Sequence, residues 1–330
     1  MDDLLTIKDL KLNLMSTRGI VYALNDVNLS IRPGEIHGLV GESGCGKSMT
    51  SKSILRLHNE KRSQMSGEIW FEGEDLLKAS KKRMRQIRGN RISMIFQDPM
   101  TSLNPLLTIG EQISEACRQH EKCSKKEAKE RTLDLLAKVG IYPPEKRYNQ
   151  YAFELSGGLQ QRVMIAMAIA CNPALLIADE PTTALDVTIQ AQVLELLKKL
   201  SDDLGMAILL ITHNFGIVAE ICDRVSVMYA GNVVETADTR AIFKEARHPY
   251  SKALINSIPK IGMNVEYLPT IPGAPPQLFD KNPACAFIDR CPYADEACKI
   301  CPPDTICGKD HIVACHHMLG SQEGGMEAHE

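Results

Sequence analysis

Two apolar periods alternate along the chain, and each predicts the element it builds. Period two, or a short unbroken apolar run, governs the first hundred residues in LTIKDLKLNL, VNLSI, IHGLV, GEIWF and RISMIF. Turn signals separate these strands, Pro33-Gly34 most clearly, and a glycine-rich loop after IHGLV leads into a helix beginning near Lys47. From about Leu106 to Lys138 the spacing changes to three and four. TIGEQISEACRQH and KKEAKERTLDLLAKVG therefore read as helices, the second stopping at Gly140. The α/β rhythm then returns with a helix around LQQRVMIAMAIACNP, the strand ALLIAD, the helix TIQAQVLELLKKLSDDLG and the strand AILLIT. A hairpin follows in RVSVMYAGNVVET, turned at Gly231-Asn232. Strands alternating with helices predict a mainly parallel sheet. The expected organisation is an α/β domain over residues 1–255, with a helical subdomain of about 104–158 inserted, then an extension over 256–330.

That extension has a different composition. Past one more helix, residues 259–330 are rich in proline and cysteine and poor in periodicity, and SQEGGMEAHE at the end is expected to be disordered. No internal repeat occurs. A chain of 330 residues has room for one large domain and a small appendage. The net charge of −3 gives no general attraction for nucleic acid or an anionic membrane, and the runs Lys81-Lys82-Arg83 and Lys125-Lys126 read as solvated faces. No apolar run approaches the ~18 residues of a membrane span. The N-terminus is acidic where a secretory leader is basic. A cytoplasmic location is expected.

Gly41-Glu42-Ser43-Gly44-Cys45-Gly46-Lys47-Ser48 fits G-x-x-x-x-G-K-[ST] between a predicted strand and helix, the context that pattern requires. Its glycines let successive backbone N–H groups face an anion at the positive end of a helix, whose first turn continues with Met49. Lys47 would reach the β- and γ-phosphates of a nucleoside triphosphate, and the Ser48 hydroxyl would ligate Mg²⁺. Leu175–Glu180 is an apolar strand ending in two carboxylates. Asp179 can hold the Mg²⁺ shell, and Glu180 is placed to polarise a water against the γ-phosphate. Alone such a strand says little; with the phosphate loop it says much more.

Leu155-Ser156-Gly157-Gly158-Leu159-Gln160-Gln161-Arg162 is the decisive segment. Ser156 reads as an N-cap, and the paired glycines let a phosphate approach the backbone of the helix behind them. A domain that already has a phosphate loop has no evident use for a second, so this one is expected to grip the nucleotide of a partner subunit.

These residues together resemble the ATPase subunits of ABC transporters, over about residues 4–255. The resemblance implies a P-loop α/β fold with an antiparallel β subdomain, an inserted helical subdomain and, here, a cysteine-rich C-terminal extension. Gly41–Ser48 resembles the family's Walker A loop, Gln97 in IFQDP its Mg²⁺-sensing glutamine, and Leu155–Gln160 its signature motif. Leu159 and Gln160 stand where other members often have other residues. Ala184-Leu185-Asp186 resembles the D-loop and His213 in LLITHN the switch histidine. In isolation Gln97 and His213 read as a surface glutamine and an end-of-strand histidine; their order around the stronger motifs favours the functional reading. The family stacks an aromatic ring on adenine, and that position falls near Arg18, with Tyr22 as the other candidate.

The resemblance further implies ATP with Mg²⁺ and a head-to-tail pair with a second ATPase subunit, identical or related. It implies two transmembrane permeases and no nucleic acid, so the chain is expected at the cytoplasmic face of the membrane as a peripheral subunit. HPYSKALINSIP and IPGAPP resemble the extension of peptide-importer ATPases. That implies di- or oligopeptide cargo and an extracytoplasmic peptide-binding protein, with nickel as the alternative cargo and a soluble ABC ATPase as the competing class. Of eleven cysteines, Cys285, Cys291, Cys298, Cys301, Cys307 and Cys315 crowd the extension, which in a reducing cytosol reads as metal binding before disulfides. Cys285, Cys291, Cys298 and Cys315 resemble the quartet of those subunits that carry an iron–sulphur cluster. Four thiolates can hold [4Fe–4S] or a tetrahedral zinc, and Cys301 or Cys307 can stand in for a member.

Overall fold

The computed structural model describes residues 3–183, 185–258, 270–276, 278–279, 283–308 and 310–320. Its strands are β1 (Leu5–Ser16), β2 (Gly19–Ile31), β3 (Ile36–Val40), β4 (Ser63–Phe71), β5 (Glu74–Asp75) and β6 (Ile92–Ile95). The later ones are β7 (Leu175–Asp179), β8 (Ala207–Thr212), β9 (Arg224–Tyr229), β10 (Asn232–Asp238), β11 (Asp304–Gly308) and β12 (His311–Ala314). They sort into a four-stranded sheet, β2-β1-β4-β5, and an eight-stranded sheet, β11-β12-β10-β9-β3-β8-β7-β6.

The paired strands of the smaller sheet are antiparallel. From β9 to β6 the larger sheet is parallel. Every residue of β3, β7 and β8 is buried, as expected of parallel strands covered on both faces. Alternate residues feed two cores. Leu39, Leu175, Ile177, Leu209 and Ile211 pack with Leu5, Leu12, Leu24 and Ile69 of the antiparallel sheet. Val40, Leu176, Ala178, Ile208 and Leu210 pack with Val163, Ile165, Leu197 and Val218 of the helical layer.

Helices Ile109–His120 and Lys125–Lys138 lie between β6 and β7 in the chain, and each starts at a full capping box, Thr108 with Glu111 and Ser124 with Glu127. The helix Gly157–Ala168 follows them.

The extension differs from its sequence expectation of irregular chain. β11 and β12 form an antiparallel hairpin, and β12 pairs with β10 through Glu235↔Val313 and Thr236↔Ile312, so the extension lengthens the main sheet. Phe287 is 2% exposed against Tyr229 and Tyr250, with ring centroids 5.2 and 5.3 Å away. The segment lacks periodicity because it needs no core of its own; it borrows the domain's. The tail SQEGGMEAHE lies outside the described residues.

Buried histidines make this packing acid-sensitive. His248 caps the helix Pro249–Asn256 by accepting from the Tyr250 N–H at 3.0 Å. Burial pushes its pKa from 6.5 down to about 4, and burial lowers that of His37 as well. The unfolded chain therefore takes up protons first as pH falls. His248's contribution is intact above about pH 6.5 and drains between there and about pH 4. At ~1.4 kcal/mol per pH unit for one proton, the loss at pH 5 is roughly 2 kcal/mol. Denaturant unfolding of His248→Asn, which keeps a capping side chain, should show a shallower fall from pH 7 to pH 5 than the wild type. An identical fall would clear His248 as the source.

Candidate active site

Sheet order assembles the site. β3, β8, β7 and β6 are neighbours and parallel, so their carboxyl ends share one edge, where open α/β sheets bind ligands. β3 feeds the Gly41–Ser48 loop and the helix Lys47–Ile54. Gly41 sits at φ +154°, and a Cβ there would stand 2.1 Å from the Met228 carbonyl oxygen, so only glycine allows this approach. The Lys47 ammonium lies inside the loop, bonded to the carbonyls of Gly41 at 2.8 Å and Glu42 at 3.0 Å. Cys45 is buried, so it offers a ligand its backbone, not its thiol.

The Ser48 hydroxyl donates to Asp179 Oδ1 at 2.9 Å across the loop. Burial raises the Asp179 carboxyl pKa despite that bond. This donor pair fits Mg²⁺. Glu180 follows in left-handed backbone, φ 48°, with its N–H on the Ile211 carbonyl at 2.9 Å. A non-glycine residue held there points to function. Three side chains meet its carboxylate: Gln97 Nε2 at 3.0 Å, Thr183 Oγ1 at 2.9 Å and His213 Nδ1 at 3.4 Å. Gln97, Glu180 and His213, from the ends of three strands, thus converge as the sequence grouped them. Thr183 was not foreseen.

Gln97, Glu180 and His213 wall a cleft of ≈ 570 Å³ with Ser43, Gly44, Gly46, Lys47, Ser48 and Met49. Its apolar side is Leu14, Val21, Ala23 and Leu278. Tyr22 and Arg18 are not there. Alternation on β2 places Tyr22 on the face opposite Val21 and Ala23, in a different hollow with Asn13, Asn25 and Pro276. Arg18 is exposed in the β1–β2 turn. The period-two rule would have found Val21 and Ala23 had β2 been seen to begin at Gly19 and not at VNLSI.

Ser156 occupies the N-cap of Gly157–Ala168, yet its hydroxyl makes no cap bond to that helix, and Ser156 and Gly157 are exposed. Gly158 is tight: a Cβ would meet Ile189 Cγ2 at 2.8 Å. Gln160 turns inward, its amide donating to the carbonyls of Ala152 at 2.8 Å and Leu155 at 3.3 Å, so it shapes the segment from behind. Asp186 caps the helix Val187–Leu204 through the Ile189 N–H at 3.0 Å; Ala184 lies outside the described residues.

In the extension, burial pushes Cys315 up to about 12 and Cys285 up to about 11, and also raises Cys291. The Cys315 thiol is near enough to Cys285, Cys291 and Cys298 to feel their charge. Cys315 Sγ accepts the backbone N–H of His317 at 3.3 Å. Such an N–H···S bond suits a thiolate bound to metal. Cys307 instead bonds the His311 carbonyl within the hairpin, and Cys301 is exposed. Among the described residues, the one group of potential metal ligands whose atoms all lie within 4.8 Å of one another is Asp295, Cys298 and His317.

Comparison with known proteins identifies the family. The ABC transporter family profile matches residues 24–183, and that of the oligopeptide/dipeptide transporter C-terminal region matches 234–298. The chain is 50% identical over 300 residues to a probable peptide ABC transporter ATP-binding protein, y4tR, of Sinorhizobium fredii, covering 90% of each. It is 46% identical to the dipeptide transport ATP-binding protein DppD of Bacillus subtilis, over 96% of this chain and 95% of that one. Among solved structures, the dimeric post-hydrolysis ATP-binding cassette MJ0796 bound to ADP and Pi superposes with TM-score 0.64 at 30% identity, covering 72% of this chain and 99% of that one. Among the described residues no helix is long and apolar enough to cross a membrane. The chain belongs to the ABC transporter family, as one of its ATP-hydrolysing subunits.

Proposed function

We propose that this subunit powers import of di- or oligopeptides from the cytoplasmic face of the membrane. The observation that carries the reading is near-full-length similarity to peptide-transport ATP-binding proteins, including the C-terminal region named for such transporters. Two ATPase cores meet head to tail, each ATP lying between Gly41–Ser48 of one and Ser156–Gly158 of the other. Lys47 and the loop N–H groups hold the phosphates, and Leu14, Val21, Ala23 and Leu278 receive the base. Ser48 and Asp179, with Gln97, would hold Mg²⁺, which would supply charge neutralisation for the triphosphate. Glu180 accepts a proton from the attacking water while Gln97 and His213 orient its carboxylate. Closure moves two permeases loaded by an extracytoplasmic binding protein. The test is reconstitution of this chain with its partner ATPase and permeases in liposomes. ATP-dependent uptake of labelled peptide is expected; uptake of nickel and no peptide would replace the cargo.

The extension carries a [4Fe–4S] cluster on Cys285, Cys291, Cys298 and Cys315 in this proposal, supported by the spacing of these cysteines in one short segment and by the His317 N–H on Cys315 Sγ. Protein purified without oxygen should be brown, with about four irons and matching sulphide per chain. Cys291→Ser should bleach it and open the extension to protease while ATP binding persists. One zinc per chain and no iron would instead support a tetrahedral site, with Asp295, Cys298 and His317 as rival ligands.

A further inference from the structure

The groups that hold the phosphate loop do not all come from the ATPase core. Glu42, the loop's second residue, is engaged on three sides. Its N–H donates to the Tyr250 hydroxyl at 3.0 Å, and its carbonyl accepts from Lys47 at 3.0 Å. Its carboxylate takes a two-pronged ion pair from Arg290, Nη1 to Oε2 at 2.7 Å and Nη2 to Oε1 at 3.1 Å. Arg290 belongs to the extension, 248 positions along the chain and next to Cys291.

The Arg290 side chain is only 5% exposed. It also donates to the Tyr229 hydroxyl at 3.2 Å and to the carbonyls of Pro272 at 2.8 Å and Ile271 at 3.3 Å. Its charge lies over the Tyr229 and Phe287 rings, 5.7 and 6.0 Å from their centroids. A planar fork with five donors is used here in one fixed pose, which an ammonium could not copy. The extension also touches the other end of the cleft. The Leu278 carbonyl accepts from the Tyr22 N–H at 2.7 Å, and Leu278 lines the apolar wall.

Docking alone does not call for this arrangement. Pairing of β12 with β10 and burial of Phe287 already hold the extension down, whereas an ion pair taken out of water carries a desolvation cost. We propose that Arg290 is a positioning residue for nucleotide binding. It grips the Glu42 carboxylate and keeps the Gly41–Ser48 loop in the shape that receives phosphates, so the cysteine-bearing extension sets the affinity of the ATP site. This rests on the reading of Gly41–Ser48 as the phosphate loop. Without the grip the loop samples other shapes, and apparent affinity falls in proportion to the competent fraction. Arg290 has no bond to Glu180, Gln97 or His213, so the hydrolytic step is left alone.

The experiment is titration of the full chain with a fluorescent ATP analogue, paired with steady-state kinetics of the assembled transporter. Arg290→Ala and Glu42→Gln should each weaken binding roughly tenfold, and combining them should add little, since both remove one interaction. KM should rise while kcat stays within about twofold. Arg290→Lys should recover part of the affinity. A merely structural arginine would give a protease-sensitive extension with wild-type nucleotide affinity, and that result overturns the proposal. If Arg290→Ala does not fold, Glu42→Gln decides, because it keeps the side chain's volume and removes only its charge. Lys47→Ala is the reference: lost binding there, with normal affinity in Arg290→Ala and Glu42→Gln, sinks this inference alone. Normal binding in Lys47→Ala sinks the phosphate-loop reading beneath it.

Discussion

Glu180→Gln should bind ATP as the wild type does, turn it over on the order of a thousandfold more slowly, and accumulate as a closed, ATP-loaded pair. The expectation follows from what the amide keeps and loses. Gln97 Nε2, Thr183 Oγ1 and His213 Nδ1 all meet the Glu180 carboxylate, which sits where the chain leaves β7 in left-handed backbone. An amide preserves the length and one acceptor oxygen, so the cleft keeps its shape. It cannot take a proton from water. Phosphate binding depends on Lys47 and the loop N–H groups, which the substitution does not touch. Single-turnover hydrolysis in the assembled transporter separates the two steps. Wild-type hydrolysis in this variant would remove Glu180 from the role of base and leave it the holder of Gln97 and His213.

The parts of this site that were legible in the sequence are those in which backbone chemistry dictates residue type. Gly41 must lack a Cβ because the Met228 carbonyl oxygen is 2.1 Å from where one would stand, so the loop announces itself as glycine. β3, β7 and β8 are buried on both faces and so read as largely apolar runs, the one polar residue inside them, His37, being bonded to Glu35 and Ser226. Groups that act across long chain separations leave no such mark. Arg290 on Glu42 and Leu278 in the cleft wall are single residues in a stretch without periodicity, and only the fold reveals what they reach. The hairpin β11–β12 was missed for a related reason. Four or five residues with one face exposed carry too short a pattern, and their stability comes from β10, seventy-odd residues upstream. Strand alternation puts Val21 and Ala23 on the cleft side of β2 and Tyr22 on the other, a placement that a single aromatic residue in the sequence does not announce.

Ser156→Arg should abolish ATP-driven pairing and reduce transporter ATPase to background, while the lone subunit still binds ATP. Ser156 heads the helix Gly157–Ala168 without a side-chain cap bond and is exposed, so its hydroxyl and the first N–H groups of that helix can serve an anion from outside. Gly157 beside it is exposed, and the nearest atom to a Cβ there is Leu185 Cδ2 at 3.9 Å, so the face is open to an approaching phosphate. Gly158 is closed by Ile189, which keeps the helix start against Val187–Leu204, the helix Asp186 caps. The residue sits apart from the cleft lined by Lys47 and Ser48, so an arginine there fills the partner's approach and not the subunit's own site. Ser156→Ala is the milder companion. Loss of one hydroxyl bond to a charged phosphate, worth about 1.5–3 kcal/mol, should weaken pairing by roughly ten- to a hundredfold without preventing it. Light scattering with ATP in the Glu180→Gln background measures both, since that variant holds closed pairs long enough to weigh. If Ser156→Arg pairs normally there, the phosphate of the second subunit does not come to this helix, and head-to-tail sharing of ATP is wrong for this chain.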